Sequence, residues 1–307
     1  MYKQYAAPME GLTTWLWRRV HREVFGGADK YFTPFLSPNA NLSFQKKELR
    51  EVENNAGLTV VPQLLTARAE HFIWAARTLS DMGYREINLN AGCPAGTVTA
   101  KHKGAGLLRS PAELDRLLDG IFGALSDLRI SVKTRIGCHA DGEWDALVEV
   151  YRRYPIYELI VHPRVQKDFY GGVARREVFT RTAEKTALPL VYNGDVTAPD
   201  DPAFLGGAVM VGRGLLSDPA LLRRSRGGAA ASREELHRYH DALAQGYAAA
   251  LGDEAALHRM WELWAYLIDA FPGGAPYLKR IRKCRSLTEY RPLAETIWNS
   301  LPLRWER

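Results

Sequence analysis

Cysteine is scarce in this 307-residue chain: Cys93, Cys138 and Cys284 are the only three, with no CxxC pair and no Cys/His spacing of metal ligands. Neither a disulfide framework nor a structural metal is expected, and a reducing cytoplasm is the expected compartment. Long apolar runs are missing too. No stretch approaches the roughly 20 residues that a membrane span needs, and MYKQYAAPMEG reaches Pro8, Glu10 and Gly11 before the apolar region of a signal peptide can form. No GxGxxG follows a strand candidate, so a nicotinamide reductant is expected to visit rather than reside. Neither sign of charge dominates: 41 Lys and Arg stand against 35 Asp and Glu, a net of +6. That surplus suits an acidic partner such as nucleic acid, but it also fits many soluble proteins. What remains is an ordinary globular composition, 46% hydrophobic and 25% charged, which argues against a disordered or fibrous chain. Nothing in it calls for an oligomer, and a monomer is expected.

What is present is a repeating alternation. Eight short apolar or β-branched runs, at 2–7, 30–33, 58–65, 85–90, 129–135, 157–162, 188–193 and 207–212, are separated by helical patterns or loops. Several are continuously apolar, as strands covered on both faces of a parallel sheet are. Amphipathic stretches lie between them, such as 68–81 and 111–126, the latter opened by Ser110-Pro111, an N-cap followed by proline at the first helical position. Eight strands alternating with helices predict an α/β fold, a (β/α)8 TIM barrel, with a doubly wound sheet as the competing arrangement. After Gly227-Gly228 the strands stop. Leu257, Met260, Trp261, Trp264, Leu267, Ile268 and Phe271 form one apolar stripe, with weaker stripes at 234–250, 276–288 and 292–301. A barrel domain over 1–228 and a small helical bundle over 229–307 are therefore expected.

Barrel enzymes carry their reactive groups at the C-terminal ends of strands. Here those ends read APMEG (7–11), Gln63, NAGCP (90–94), Lys133 and Arg135, His162 and Arg164, NGD (193–195) and GRG (212–214). The two glycine-containing loops after the last two strands suit a phosphate, or are simply tight turns. Lys133 points the same way as Arg135, being two residues away, and either stabilises a developing anion or pairs with a buried carboxylate. Cys93, in a Gly-Cys-Pro turn at a strand end, is placed as an acid or a nucleophile rather than as packing.

As a set, APMEG, Gln63, EINLNAGCP (86–94), GAGLL (104–108), VKTRIG (132–137), HPRVQKDFYGG (162–172), NGDV (193–196) and MVGRG (210–214) resemble the dihydrouridine synthase family, flavoenzymes that reduce uridine in transfer RNA. KHKGAGLL (101–108) is more basic than the family's form, and His162-Pro-Arg stands where His-Gly-Arg is commoner. The resemblance implies that Pro8, Met9, Glu10, Gln63, Lys133, His162, Asn193, Gly194, Asp195, Gly212 and Arg213 hold FMN. It implies NADPH as reductant, Cys93 as the general acid, and Asn90 and Arg135 as substrate contacts. In that setting Lys101 and Lys103, in the loop after Cys93, are expected to touch RNA or to form a mobile lid. Lys279, Arg280, Arg282 and Lys283 are expected to face tRNA from one C-terminal helix over 279–285. That segment stands out because residues 233–307 as a whole nearly balance, with 11 Lys and Arg against 10 Asp and Glu, so the positive charge is concentrated there. Two other functions fit part of the pattern: an FMN barrel oxidoreductase acting on a small molecule, of dihydroorotate dehydrogenase or old-yellow-enzyme type, and a non-catalytic RNA-binding barrel. The loop 139–144 offers no chemistry.

Overall fold

The computed structural model describes residues 2–305. Nine parallel strand segments form one ring: β1 (Gln4–Ala6), β2 (Lys30–Phe32), β3 (Val60–Val61), β4 (Gln63–Leu64), β5 (Glu86–Ala91), β6 (Arg129–Arg135), β7 (Leu159–His162), β8 (Leu190–Tyr192) and β9 (Ala208–Val211). The sheet order, β3-β2-β1-β9-β8-β7-β6-β5-β4, ends on two pieces of the same stretch of chain. The eight runs expected from sequence are thus all strands, and the third is broken. Pro62 is the cause: it has no N–H to donate, so the ladder is interrupted there. Val60 and Val61 pair with Tyr31 and Phe32, whereas Gln63 and Leu64 pair with Asn88 and Leu89. The break turns one strand from one neighbour to the other and closes the barrel.

The barrel interior is divided along its axis. Tyr5, Phe32, Val61, Ile160, Val191 and Met210 form an apolar plug. At the N-terminal ends of the strands Lys30 bridges Glu86 at 2.7 Å and Glu158 at 2.9 Å, and the Tyr5 hydroxyl donates to Glu158 at 2.6 Å. At the C-terminal ends the interior turns polar, with Gln63, Asn90, Lys133 and His162 lining a cavity. Helices Ala69–Asp81 and Pro111–Ala124 cover the outside as expected, the second capped by the Ser110 hydroxyl accepting from Glu113 N–H at 3.3 Å.

The C-terminal helices are Arg233–Leu251, Asp253–Leu267, Ala275–Ile281 and Leu287–Ser300. Ser232 opens the first with a capping box to Glu235. The basic segment is not one helix over 279–285. The helix ends at Ile281, and a turn leads to Ser286, which caps the last helix by accepting from Glu289 N–H. The last helix therefore begins at Leu287, upstream of the 292–301 stripe. Even so, Ile281 and Cys284 are buried while Lys279, Arg280, Arg282, Lys283 and Arg285 are exposed.

These helices share one apolar core with the barrel. Trp17, Val20 and Phe25 of helix Trp15–Phe25 join Tyr239, Leu243, Trp264 and Trp298 in a single cluster. Two buried hydrogen bonds cross the junction, Trp17 Nε1–H to Tyr239 Oη at 2.6 Å and a Thr14–Tyr247 hydroxyl pair at 2.7 Å. Removing residues 229–307 would expose this core to water, so truncation is not a clean test of what the segment binds. No helix among the described residues is long and apolar enough to cross a membrane.

Candidate active site

The strand ends converge on a cavity of about 760 Å³. Fourteen of the residues singled out from sequence line it: Pro8, Met9, Glu10, Gln63, Asn90, Cys93, Lys133, Arg135, His162, Asn193, Gly194, Asp195, Gly212 and Arg213. Lys101, Lys103, Lys279, Arg280, Arg282 and Lys283 do not. Lys103 is half-buried and donates to Ser37 Oγ at 3.0 Å, while Lys101 is exposed. The segment that follows them, Gly104–Leu108, is buried, and Ala105 N–H donates to the Cys93 carbonyl at 3.0 Å.

Cys93 is presented by a turn rather than by a strand. Asn90 Oδ1 accepts from the N–H groups of Gly92 and Cys93 at 3.0 and 2.9 Å, which folds the chain sharply after β5. Burial pushes the thiol pKa up, against a backbone hydrogen bond at Ala95 and the positive charges of Lys133 and Arg135. The group is therefore a neutral thiol at neutral pH, which suits a proton donor better than a thiolate nucleophile. Gly104 lies against it. A Cβ there would come within 2.8 Å of the Cys93 carbonyl oxygen, and the backbone has φ +57°. Gly104→Ala is expected to lower stability by about 1–3 kcal/mol and to displace Cys93, measured as a lower melting temperature together with lost activity.

Lys133 meets the cavity without a counter-ion: no carboxylate or other hydrogen-bond partner is recorded for its ammonium among the described residues. Burial and the neighbouring Arg135 lower its pKa to about 7. Of the two sequence alternatives, the buried Lys–carboxylate pair is absent. Arg135 lines the cavity and also serves the architecture: it donates to the carbonyls of Gly92 at 3.0 Å, Val165 at 2.9 Å and Phe169 at 2.5 Å. It ties the Cys93 turn to the loop after β7.

His162 Nε2 lies 3.0 Å from Arg164 Nη1. A guanidinium only donates, so Nε2 accepts and the ring is neutral with its proton on Nδ1. Burial and four surrounding cations, Lys133, Arg135, Arg164 and Arg213, keep it so by lowering its pKa. Asp195 spends both carboxylate oxygens on arginine, Oδ1 on Arg213 at 2.6 Å and on Arg164 at 2.9 Å, and Oδ2 on Arg164. Its side chain aims the two arginines and does not face an anion itself. The backbone N–H groups of Gly194, Gly212, Arg213 and Gly214 find no acceptor among the described residues. A Cβ on Gly194 would overlap the Tyr192 hydroxyl. Two bare backbone loops with an arginine between them make an anion cradle.

Arg164, read from sequence beside His162 at a strand end, also holds the carbonyls of Gly171 and Gly172 at 3.0 and 2.6 Å. Sequence reasoning missed part of the wall. Tyr170 is exposed at the mouth, with Arg135 and Arg213 5.4 and 5.2 Å from its ring centre. Tyr266 and Asp269 line the cavity from the C-terminal helices, and Asp269 accepts from Ser217 at 2.9 Å. Neither lies on the apolar stripe that marked that helix, so only docking could reveal them. The loop 139–144 is structural: Glu143 accepts from the N–H groups of Cys138, His139 and Ala140 at 2.7–2.9 Å. No group of three metal-ligating side chains occurs among the described residues.

The sequence profile described as dihydrouridine synthase (Dus) matches residues 5–294. A probable tRNA-dihydrouridine synthase of Rhodobacter capsulatus is 32% identical over 227 residues, 69% of this chain and 67% of that protein. A tRNA-dihydrouridine(16) synthase of Ralstonia nicotianae is 30% identical, covering 74% of this chain and 73% of its own. A probable tRNA-dihydrouridine synthase of Staphylococcus epidermidis is 28% identical and is matched along 98% of this chain and 95% of its own. Among solved structures, the old yellow enzyme homologue of Zymomonas mobilis superposes with a TM-score of 0.52 at 12% identity, covering 77% of this chain and 92% of that one. At that identity the likeness supports the barrel fold alone. The match from Tyr5 to Ala294, and the gathering of its strand-end residues in one cavity, place the chain in the dihydrouridine synthase family.

Proposed function

We propose that this chain, as a monomer, reduces the C5=C6 bond of uridine in tRNA, with FMN held in the cavity, NADPH as reductant and Cys93 as proton donor. FMN would supply hydride from N5 to uracil C6, after taking one from NADPH. The observation that carries this reading is a neutral thiol and an unpaired lysine facing one cavity that ends in an anion cradle. The residues fit the cofactor by size and by charge. A cavity of about 760 Å³ lies in the range of cofactor sites. The cradle at Gly194 and Gly212–Gly214 suits a phosphate, and Lys133 is the cation for a ring that gains electrons.

Uracil accepting hydride at C6 gains negative charge at C5 and O4, and the Cys93 thiol delivers its proton to C5. The Asn90 Oδ1 bonds hold that thiol to the rim, and the Asn90 amide has one N–H left for the base. Arg135 fixes the loops on both sides of it. The target base is stacked in folded tRNA, so it must leave the stack to reach this cavity. Residues 1–228 would form the catalytic unit and 229–307 the unit that docks RNA.

RNA docking is supported by Lys279, Arg280, Arg282 and Lys283, which are exposed and form no ion pair among the described residues. Changing all four to serine is expected to raise KM for tRNA about 10- to 100-fold and to flatten its salt dependence, with flavin content unchanged. An unchanged salt slope would remove the segment from the RNA interface. The function itself is tested by mapping dihydrouridine at single-position resolution in tRNA from a deletion strain, with and without the gene restored. Loss of the modified base at defined positions is expected. An unaltered profile would overturn the reading.

A further inference from the structure

Four buried side chains cross the barrel interior in single file and all point one way. Beyond the Gly92 and Cys93 N–H groups that donate to Asn90 Oδ1, Asn90 Nδ2 donates to Gln63 Oε1 at 2.8 Å. Gln63 Nε2 donates to Asn88 Oδ1 at 2.7 Å, and Asn88 Nδ2 to Ser131 Oγ at 2.9 Å. Gln63, Asn88, Asn90 and Ser131 are all buried. Ser131 ends the file: Glu86 Oε1 makes no hydrogen bond among the described residues, and Oε2 is held by Lys30.

The direction of this file follows from its end at the Cys93 turn. A backbone N–H can only donate, so the oxygen of Asn90 faces the Cys93 turn and its nitrogen faces Gln63. That assignment fixes Gln63, then Asn88, then Ser131. Reversing any one amide would set donor against donor and acceptor against acceptor, leaving buried groups unsatisfied. Gln63 and Asn90 line the cavity, whereas Asn88 and Ser131 do not. The amide hydrogen that Gln63 and Asn90 each have left over is therefore a donor.

We propose that Asn88 and Ser131 are positioning residues: their hydrogen bonds lock the Gln63 and Asn90 amides in the direction that the Cys93 turn imposes, and through Asn90 they hold the turn that carries Cys93. The wall beneath the reacting ring then offers donors to an oxygen gaining negative charge, preset before the charge appears. This chemical consequence rests on the proposed uridine reduction. The positioning of Cys93 does not.

The test compares Asn88→Leu, which removes both links, with Asn88→Asp, which keeps an acceptor for Gln63. In flavin-free full-length protein, iodoacetamide alkylation of Cys93 is followed by peptide mass spectrometry against pH, with buried Cys138 and Cys284 as internal controls. Asn88→Leu is expected to speed Cys93 alkylation about 5- to 20-fold and to lower its pH midpoint, because a loosened turn hydrates the thiol. Asn88→Asp is expected to stay within about twofold of the parent. In the flavin-loaded protein Asn88→Leu should lower kcat about 10- to 100-fold with KM for tRNA unchanged. Equal alkylation in Asn88→Leu and the parent overturns the proposal, and so does equal damage from Leu and Asp. If Asn88→Leu does not fold, Ser131→Ala replaces it, with about a 3-fold effect expected and Ser131→Thr restoring the parent rate; no effect from Ser131→Ala is again disproof. If the parent makes no dihydrouridine, the proposed function fails, while the alkylation result still decides the positioning.

Discussion

Cys93→Ala is expected to lower dihydrouridine formation about 100- to 10,000-fold, the range a positioned acid contributes, while flavin content and NADPH oxidation stay within about twofold. The separation of the two half-reactions is the informative part. The Cys93 backbone, not its side chain, accepts from Ala105 and donates to Asn90, so alanine leaves the turn intact. Serine should do little better than alanine, because its hydroxyl is a far weaker acid than a thiol. Single-turnover assays with pre-reduced protein and tRNA measure the loss directly. Unchanged dihydrouridine in tRNA from a strain carrying only Cys93→Ala would mean that the proton comes from elsewhere, or that the chain binds RNA without reducing it.

The second large effect is expected at Lys133. Lys133→Met should slow flavin reduction by NADPH about 10- to 1,000-fold and make the bound flavin harder to reduce, because a preset cation is removed from where negative charge develops. Lys133→Arg keeps the charge but not the compact shape, and a partial loss is expected. The same residue gives a pH test with a definite sign. In the flavin-free protein burial and the neighbouring Arg135 bring the Lys133 pKa down to about 7, from 10.5 for a free lysine side chain. Across that window the unfolded chain binds the extra proton, so stability should rise with pH between about 7 and 10.5. Lys133→Met should remove that rise, and melting curves at several pH values would show it. An equal rise in the variant would assign the pH dependence to other groups.

The site was legible in sequence to an unusual extent because barrel chemistry sits at strand ends, and strand ends can be read from apolar runs. Fourteen residues chosen that way share one wall. Their division of labour was not legible. Asp195, expected to meet cofactor, gives both carboxylate oxygens to arginines, and Arg135, expected to meet substrate, also holds three loop carbonyls. Asn90 gives most of its hydrogen-bonding capacity to the Cys93 turn and to Gln63. A residue type and a strand end predict proximity to a cavity; they do not say which lone pairs and hydrogens are already used. The basic segment is a second case. The helix expected over 279–285 ends at Ile281, because Ser286 offers a cap to the next helix that periodicity does not register.

By itself the sequence determined the eight-stranded alternation, the reactive rim and the balance of charge. Each of these depends on the order of residues along one strand or one turn. Only the tertiary structure decided that Pro62 closes the ring, that Tyr266 and Asp269 complete the cavity, and that the amides of Asn88, Gln63 and Asn90 all run toward Ser131. These features depend on which groups from distant segments meet in a dry interior. There a hydrogen bond has a direction, and an unmatched group has no water to fall back on.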